Sequence, residues 1–219
     1  MSDISHLRQN YKRAELCEDS ALACPIKFFQ QWLDEAIAEQ VTEPNAMILA
    51  TVANQQAYQR TVLLKYINEH GFAFFTNYEG RKAQQLNANS LASLLFLWLD
   101  LERQVHITGV VTKLSEQESK SYFSQRPRES QLGAWASNQS EVVKNKQQLL
   151  DQYQEIEARF QGQEIPKPSS WGGYILHPKT IEFWQGGSGR MHDRLIYEQV
   201  TKQDASDESS AWTIKRLSP

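Results

Sequence analysis

The sequence predicts an α+β domain, mostly antiparallel β, with helices at its periphery. Runs rich in Val, Leu, Phe and Thr follow one another from Ala46 onward with turn-like tetrads between them, and strands so connected, without helical crossovers, pair antiparallel in a sheet or barrel. Helical periodicity is confined to a few stretches that flank or interrupt those runs. In a chain of 219 residues, 40% hydrophobic and 11% aromatic content is enough for a substantial core, and no repeat or clear linker divides it.

Residues 1–24 are polar, show little hydrophobic periodicity and read as a flexible N-terminal arm; residues 25–219 read as a single domain. Pro25 opens a helix, where its missing N–H is no loss, and Phe28, Phe29, Trp32, Leu33, Ala36 and Ile37 give that helix a wide apolar face. Strands are expected at Met47 to Val52, Tyr58 to Lys65 and Phe72 to Thr76, in the manner of a meander. A short helix fits Gly80 to Ala88, followed by strands at Ala92 to Trp98 and Arg103 to Lys113. Ser115 and Glu118 have capping-box spacing, so a helix runs through Tyr122 and Phe123 until Pro127 ends it. After an Arg/Ser/Gln-rich loop, Val142, Val143, Leu149, Leu150, Tyr153, Ile156 and Phe160 mark an amphipathic helix of about five turns, placed in the core or on a dimer surface. Strands resume at Gly172 to Leu176, Ile181 to Trp184, Leu195 to Gln199 and Trp212 to Arg216, with an acidic, serine-rich insert at Thr201 to Ser210 expected as a mobile loop.

Lys plus Arg total 23 against 26 Asp plus Glu, a net charge of −3, so no global basic field draws the chain to nucleic acid or to an anionic membrane. Cys17 and Cys24 have neither C-x-x-C spacing nor a nearby histidine pair, and read as free thiols and not as metal ligands. No apolar run has signal-peptide or membrane-spanning length, and a soluble cytoplasmic protein is expected.

Chemistry concentrates in Ile181 to Arg194, I-E-F-W-Q-G-G-S-G-R-M-H-D-R. A strand-like start is followed by glycines that free the backbone, then by Arg190, His192 and Arg194, which an extended chain would set on one face. Further basic and hydroxyl clusters fall in loops or at strand ends: Arg60 with Lys65, Arg81 with Lys82, Arg126-Pro-Arg128-Glu-Ser130, and Gln139-Ser140. Arg, Lys, Ser and backbone N–H groups are the usual donors to phosphate. The odd separation of Arg60 and Lys65 puts them on opposite faces of a regular strand, so two anionic groups are expected. A Walker loop, a G-x-G-x-x-G after a strand, a G-x-S-x-G elbow and an H-E-x-x-H helix are all missing, which argues against the nucleotide-binding and hydrolase folds that use them.

Taken together, Arg60-Thr-Val-Leu-Leu-Lys65, Thr76-Asn77, Arg81-Lys82, Leu101-Glu-Arg-Gln104-Val105, Tyr122-Phe123, Arg126-Pro-Arg128 and Ser130-Gln-Leu-Gly-Ala-Trp135 resemble the pyridoxine/pyridoxamine 5′-phosphate oxidase family. So do Gln139-Ser140, Trp171-Gly-Gly173, Phe183-Trp-Gln-Gly186, Arg190-Met-His-Asp-Arg194 and the closing Arg216-Leu-Ser-Pro219, so the likeness runs nearly end to end. The resemblance implies a split β-barrel homodimer with FMN at the subunit interface, oxidising pyridoxine or pyridoxamine 5′-phosphate to pyridoxal 5′-phosphate with O₂ and releasing H₂O₂. It assigns FMN to Arg60, Thr61, Val62, Leu63, Leu64, Lys65, Phe75, Thr76, Arg81, Lys82, Gln104, Gln139, Ser140, Trp184 and Arg194. It assigns substrate to Arg8, Tyr11, Lys65, Tyr122, Arg126, Ser130, Arg190, Met191 and His192, with Arg190 and His192 over the reacting ring. No metal is implied. Met191 stands where leucine is expected and Phe75 where tyrosine is frequent, which leaves only a backbone contact at Phe75. Two other readings compete: a split-barrel protein that holds FMN or pyridoxal phosphate without turnover, and a flavin reductase with a nicotinamide donor. The second phosphate clamp argues against the reductase, and the full substrate set against a binding-only protein.

Overall fold

The computed structural model describes residues 2–7, 9–200 and 212–219; Arg8 and the Thr201 to Ser210 insert lie outside the described residues. Among the described residues nine strands form one sheet: β1 (Ala46–Ala53), β2 (Gln56–Leu63), β3 (Tyr66–Asn68), β4 (Gly71–Asn77), β5 (Leu91–Trp98), β6 (Arg103–Lys113), β7 (Trp171–Gln185), β8 (Asp193–Gln199) and β9 (Trp212–Arg216). All pairs are antiparallel, in the order β2-β1-β5-β6-β7-β4-β3, with β8 branching from β7 and β9 pairing β8. Among the described residues five α-helices surround it: α1 (Pro25–Ala38), α2 (Arg81–Ala88), α3 (Glu116–Ser124), α4 (Arg128–Ala136) and α5 (Lys146–Arg159). Among the described residues no helix is long and apolar enough to cross a membrane.

The first four strands do not make the expected meander. Hairpins β1–β2 and β3–β4 form, but they part to opposite ends of the sheet order. The link between them closes the barrel: Leu64 N–H donates to Asn45 O (2.8 Å) beside β1, and Lys65 N–H to Ala73 O (2.9 Å) on β4. The strand expected to reach Lys65 therefore ends at Leu63, because the chain must leave one strand pair and join the other, and Leu64 turns into the core.

The two strands expected after Trp171 are one, β7. It pairs with β6 along its length, with β4 through Trp171–Leu176 facing Phe72–Asn77, and with β8 through Thr180–Gln185. Where one neighbour gives way to the other, the register slips: Thr108 faces Thr180 but Gly109 faces Pro178, leaving Lys179 as the extra residue of a β-bulge. A Cβ on Gly109 would lie 2.0 Å from His177 O, so only glycine fits at this bulge.

Helix α1 plugs the barrel. Pro25 occupies its first turn, and Phe28, Phe29, Trp32, Leu33 and Ala36 are buried, while Ile37, expected on that face, is exposed. Phe28 lies 4.5 Å from Phe183 and Phe29 4.7 Å from Phe96, centroid to centroid. Burying side chains of this size stabilises the fold by roughly 1.5–3 kcal/mol each.

A smaller cluster of Phe123, Leu132, Phe160, Ile165 and Trp171 joins α3, α4 and the start of β7. The capping box at Ser115 and Glu118 is formed. Pro127 ends α3 but also opens α4, where a loop was expected; Gly133 and the polar composition hide that helix in the sequence. Helix α5 begins only at Lys146, capped by Asn145, so it has about four turns, and Val142 is outside it and exposed. No residue within α5 is fully buried, but Tyr153 and Ile156 pack against the smaller cluster and Phe160, just past the end of the helix, belongs to it, so one edge of the helix meets the core.

The segment expected as a flexible arm is held to the body in its second half. Leu16 is buried in the main core, its N–H donates to Asp193 Oδ2 (3.0 Å), and its carbonyl accepts from Arg216 Nη2 (2.8 Å). Anchoring through backbone groups leaves no hydrophobic periodicity for the sequence to display. Cys17 and Cys24 are free thiols.

Candidate active site

At the barrel seam a cleft of about 800 Å³ opens between the end of β2, β4, α2, α3 and α4. It collects Thr61, Val62, Leu63, Lys65, Phe75, Thr76, Lys82, Tyr122, Arg126, Ser130 and Gln139 from the residues singled out in the sequence. Phe75, Tyr122 and Trp171 form its aromatic floor, with Phe75 stacked on Tyr122 at 4.0 Å and on Trp171 at 5.3 Å.

One end of the cleft is a cationic corner. Lys82 Nζ donates to Gln139 Oε1 (2.6 Å) and Thr76 Oγ1 (3.0 Å). Arg60 points under the sheet, where its guanidinium donates to Gln85 Oε1 (2.5 Å), Thr51 Oγ1 (2.8 Å) and Leu49 O (3.1 Å). Burial lowers the pKa of Lys82, and the charge on Arg60 lowers it further; burial alone lowers that of Arg60. Neither has a carboxylate partner among the described residues. Half-buried neighbouring cations with only neutral acceptors fit an anion.

Arg126 lines the same cleft with Tyr122 near it, and Lys65 and Ser130 share the lining. The Arg126 guanidinium lies 4.6 Å over the Trp171 ring, burial lowers its pKa, and its Nη1 is buried without a hydrogen-bond partner among the described residues. Burial raises the Tyr122 pKa, and Arg126 opposes that rise. Arg128, grouped with Arg126 in the sequence, turns away to donate to Phe160 O (2.6 Å) and Gln163 O (3.0 Å), capping α5.

Arg81 and Ser140 lie beside the cleft, bordering a separate hollow of about 290 Å³ with Gln139. Leu64 is in the core and does not line the cleft. Sequence reasoning missed Gln85 and Thr51, the polar residues that hold Arg60; a glutamine on the buried face of α2, beside Ala83 and Leu86, was the available signal.

The remaining site residues form a second group at the far end of β7. Gln104, Trp184 and Arg194 stand in a row across β6, β7 and β8. Their alternation with the buried Val105, Phe183 and Leu195 puts them on the outer face of the sheet. Arg194 Nε donates to Glu182 Oε1 (2.7 Å), which raises the Arg194 pKa, and its Nη1 to Ser218 O (2.9 Å). His192 packs on Trp184 at 4.8 Å, and Tyr11 meets both rings edge-on, at 5.8 Å and 5.7 Å. Gly187 N–H donates to His192 Nδ1 (3.1 Å), leaving the proton of the neutral ring on Nε2. Arg190 takes a left-handed conformation (φ 65°) and, with Met191, is exposed. A non-glycine residue held in that region costs on the order of 1 kcal/mol, typical of a loop shaped for binding. Among the described residues no group of His, Cys, Asp and Glu has metal-site geometry.

Residues 33–160 match the family described as Pyridoxamine 5'-phosphate oxidase, and residues 171–219 its Pyridoxine 5'-phosphate oxidase C-terminal dimerisation region. The chain is 50% identical over 217 residues to the pyridoxine/pyridoxamine 5'-phosphate oxidase of Bordetella pertussis, covering 99% of each. With that of Rubrobacter xylanophilus it shares 47% over 218 residues, covering 99% of this chain and 97% of the relative. Among solved structures, PhzG from Burkholderia lata, in complex with tetrahydrophenazine-1-carboxylic acid, matches with TM-score 0.84 and 28% identity over 95% of this chain and 100% of that one. An FMN-binding protein of Nostoc punctiforme shares the fold at TM-score 0.66 and 14% identity, over 87% of this chain and 97% of that one. Sequence and architecture agree along the whole length: the chain belongs to the pyridoxine/pyridoxamine 5′-phosphate oxidase family.

Proposed function

We propose that the protein is an FMN-dependent oxidase that converts pyridoxine 5′-phosphate and pyridoxamine 5′-phosphate to pyridoxal 5′-phosphate. O₂ is the electron acceptor and H₂O₂ the product. The alcohol loses two hydrogens as O₂ becomes H₂O₂; the amine does the same with uptake of one water and release of ammonia.

The observation that carries this reading is two cationic groups lining one cleft without a carboxylate partner among the described residues: Lys82, with Arg60 beside it under the sheet, and Arg126 with its unpartnered Nη1. Each suits a phosphate, and each charge-assisted hydrogen bond to one contributes about 1.5–3 kcal/mol. FMN would be held by Arg60 to Lys65, Phe75, Thr76, Arg81, Lys82, Gln139 and Ser140 of one copy and by Gln104, Trp184 and Arg194 of a second. Lys65, Tyr122, Arg126 and Ser130 would hold the substrate phosphate. The second copy's loop would bring Arg190, Met191 and His192 to the pyridine ring, with Tyr11 and Arg8 closing over it.

Bound FMN supplies the two-electron acceptor that side chains lack. The protein's own task is to position. Arg190 orients the ring and stabilises negative charge near it, and His192, its Nδ1 already accepting from Gly187, offers Nε2–H as a donor to a ring substituent. The purified protein is expected to be yellow and to consume O₂ when given either vitamer phosphate. Protein that takes up no flavin, or flavin-loaded protein that consumes no O₂ with both vitamers, refutes the assignment.

A further inference from the structure

Glu102 lies in the Leu101 to Val105 motif but is given no role there, and it has no part in the cleft or in the row of Gln104, Trp184 and Arg194. Yet it joins three elements. Its carboxylate Oε2 accepts two consecutive backbone N–H groups of the arm, from Lys12 (2.8 Å) and Arg13 (2.9 Å). Its carbonyl accepts from Gly186 N–H (2.7 Å) and from the Gln185 amide (3.2 Å), at the end of β7. It also stands immediately before β6, in a left-handed conformation (φ 53°, ψ 37°) that a residue with a side chain rarely adopts.

That conformation is over-determined by its neighbours. Gln185 is fully buried, bonded to Leu101 O and Glu102 O, and accepts from Arg103 Nε (2.8 Å), so the Glu102 carbonyl has a fixed direction and the side chain is delivered to the arm. The residue before the two captured N–H groups is Tyr11. Its ring lies on Gly186, where an added Cβ would come 2.7 Å from Tyr11 Cγ, and edge-on to Trp184 and His192.

We propose that Glu102 is a positioning residue for the reaction: a carboxylate latch that grips the backbone at Lys12 and Arg13 and so holds Tyr11 against His192 and Trp184. This rests on the oxidase reading for its catalytic consequence, but not for the latch itself. Because the latch reads backbone N–H groups, it is indifferent to which side chains stand at positions 12 and 13. It sets where the arm lies, and hence whether Tyr11 walls the half-site that meets the substrate ring.

Limited trypsin digestion tests it directly, since Lys12 and Arg13 are exposed cleavage sites whose backbone the latch immobilises. In the FMN-loaded protein, Glu102→Ala and Glu102→Gly are expected to speed cleavage at these two bonds by ~tenfold. Glu102→Gln, which keeps an acceptor oxygen, should stay near wild type. The glycine variant separates latch from fold: glycine accepts a left-handed backbone without strain, so its thermal midpoint should not fall below that of the alanine variant. With pyridoxamine 5′-phosphate, both latch-deleted variants should raise KM ~fivefold or more, with a smaller change in kcat. Unchanged cleavage rates in Glu102→Gly and Glu102→Ala overturn the latch whether or not the protein oxidises this substrate. Faster cleavage with unchanged KM overturns the positioning role and leaves the oxidase reading intact.

Discussion

Trp171 and Trp184 stand at opposite ends of the same strand, one flooring the cleft beneath Arg126 and the other packed at a tilt against His192. At about 3.3 Å per residue, the thirteen steps between them measure on the order of 40 Å along the chain. The proposed site residues thus fall into two groups far apart along the chain, and the family's dimerisation region, residues 171–219, begins at the first tryptophan and contains the second.

Complementation between two disabled variants checks this arrangement. Arg126→Ala damages the cleft half and Arg190→Ala the loop half, so a heterodimer of the two should carry one intact site. Random mixing makes half of the dimers heterodimers, and the mixture should recover about a quarter of wild-type activity. Activity no higher than that of the separate variants would show that both residues serve a site within one copy.

Arg126→Ala should raise KM for pyridoxamine 5′-phosphate by ~tenfold or more, since its unpartnered Nη1 is the group a substrate phosphate would satisfy. Steady-state kinetics with the phosphorylated and unphosphorylated amine separate phosphate binding from chemistry. An equal loss with both substrates would remove Arg126 from the phosphate clamp.

For Lys82 the sign of the pH effect follows from burial. Its pKa lies below the ordinary 10.5 in the folded state, so the unfolded chain binds the extra proton between the two values, and the flavin-free protein gains stability as pH rises through that interval. Below it the folded state carries the whole cost of the buried charge. Lys82→Met should therefore raise the melting temperature of flavin-free protein at pH 7, by about 1–2 °C. The same change should weaken FMN binding ~tenfold or more. A fall in both quantities would mark Lys82 as structural.

Glu18 gives the opposite sign. Hydrogen bonds from Arg216, at 2.7 Å and 2.8 Å, hold its pKa down at about 2 from 4.5, so its contribution is present above about 4.5 and lost as pH falls towards 2. The pair is exposed at its Glu18 end, so the effect is small. Glu18→Gln should lower the thermal midpoint slightly at pH 7 and leave it unchanged at pH 2, as calorimetry at the two pH values would show.

Much of this molecule could be read before it was seen, because its signals are local. Pro25, the capping box at Ser115 and Glu118, and the aromatic face of α1 each mark their element within a few residues. Closure of the barrel at Leu64 and Lys65 is not local, since it depends on Asn45 and Ala73, and the apolar run there reads as continued strand. Helix α4 escaped because Gly133 and a run of polar residues mask a helix with one buried side chain, Leu132. The cationic residues of the cleft were visible as types. That Arg60 needs Gln85 and Thr51, and that Arg128 caps a helix while Arg126 faces the cleft, depends on three-dimensional neighbours that no spacing rule supplies.

The extra residue at Lys179 has a consequence for which positions along β7 look inward. Before it the even-numbered Tyr174 and Leu176 are the core residues; after it the odd-numbered Ile181 and Phe183 are. The bulge is what keeps the two halves on the same face: it takes up the odd residue, so that Phe183 stays inward and Trp184 outward, whereas a strand forced to run regularly through Lys179 would turn its second half inside out.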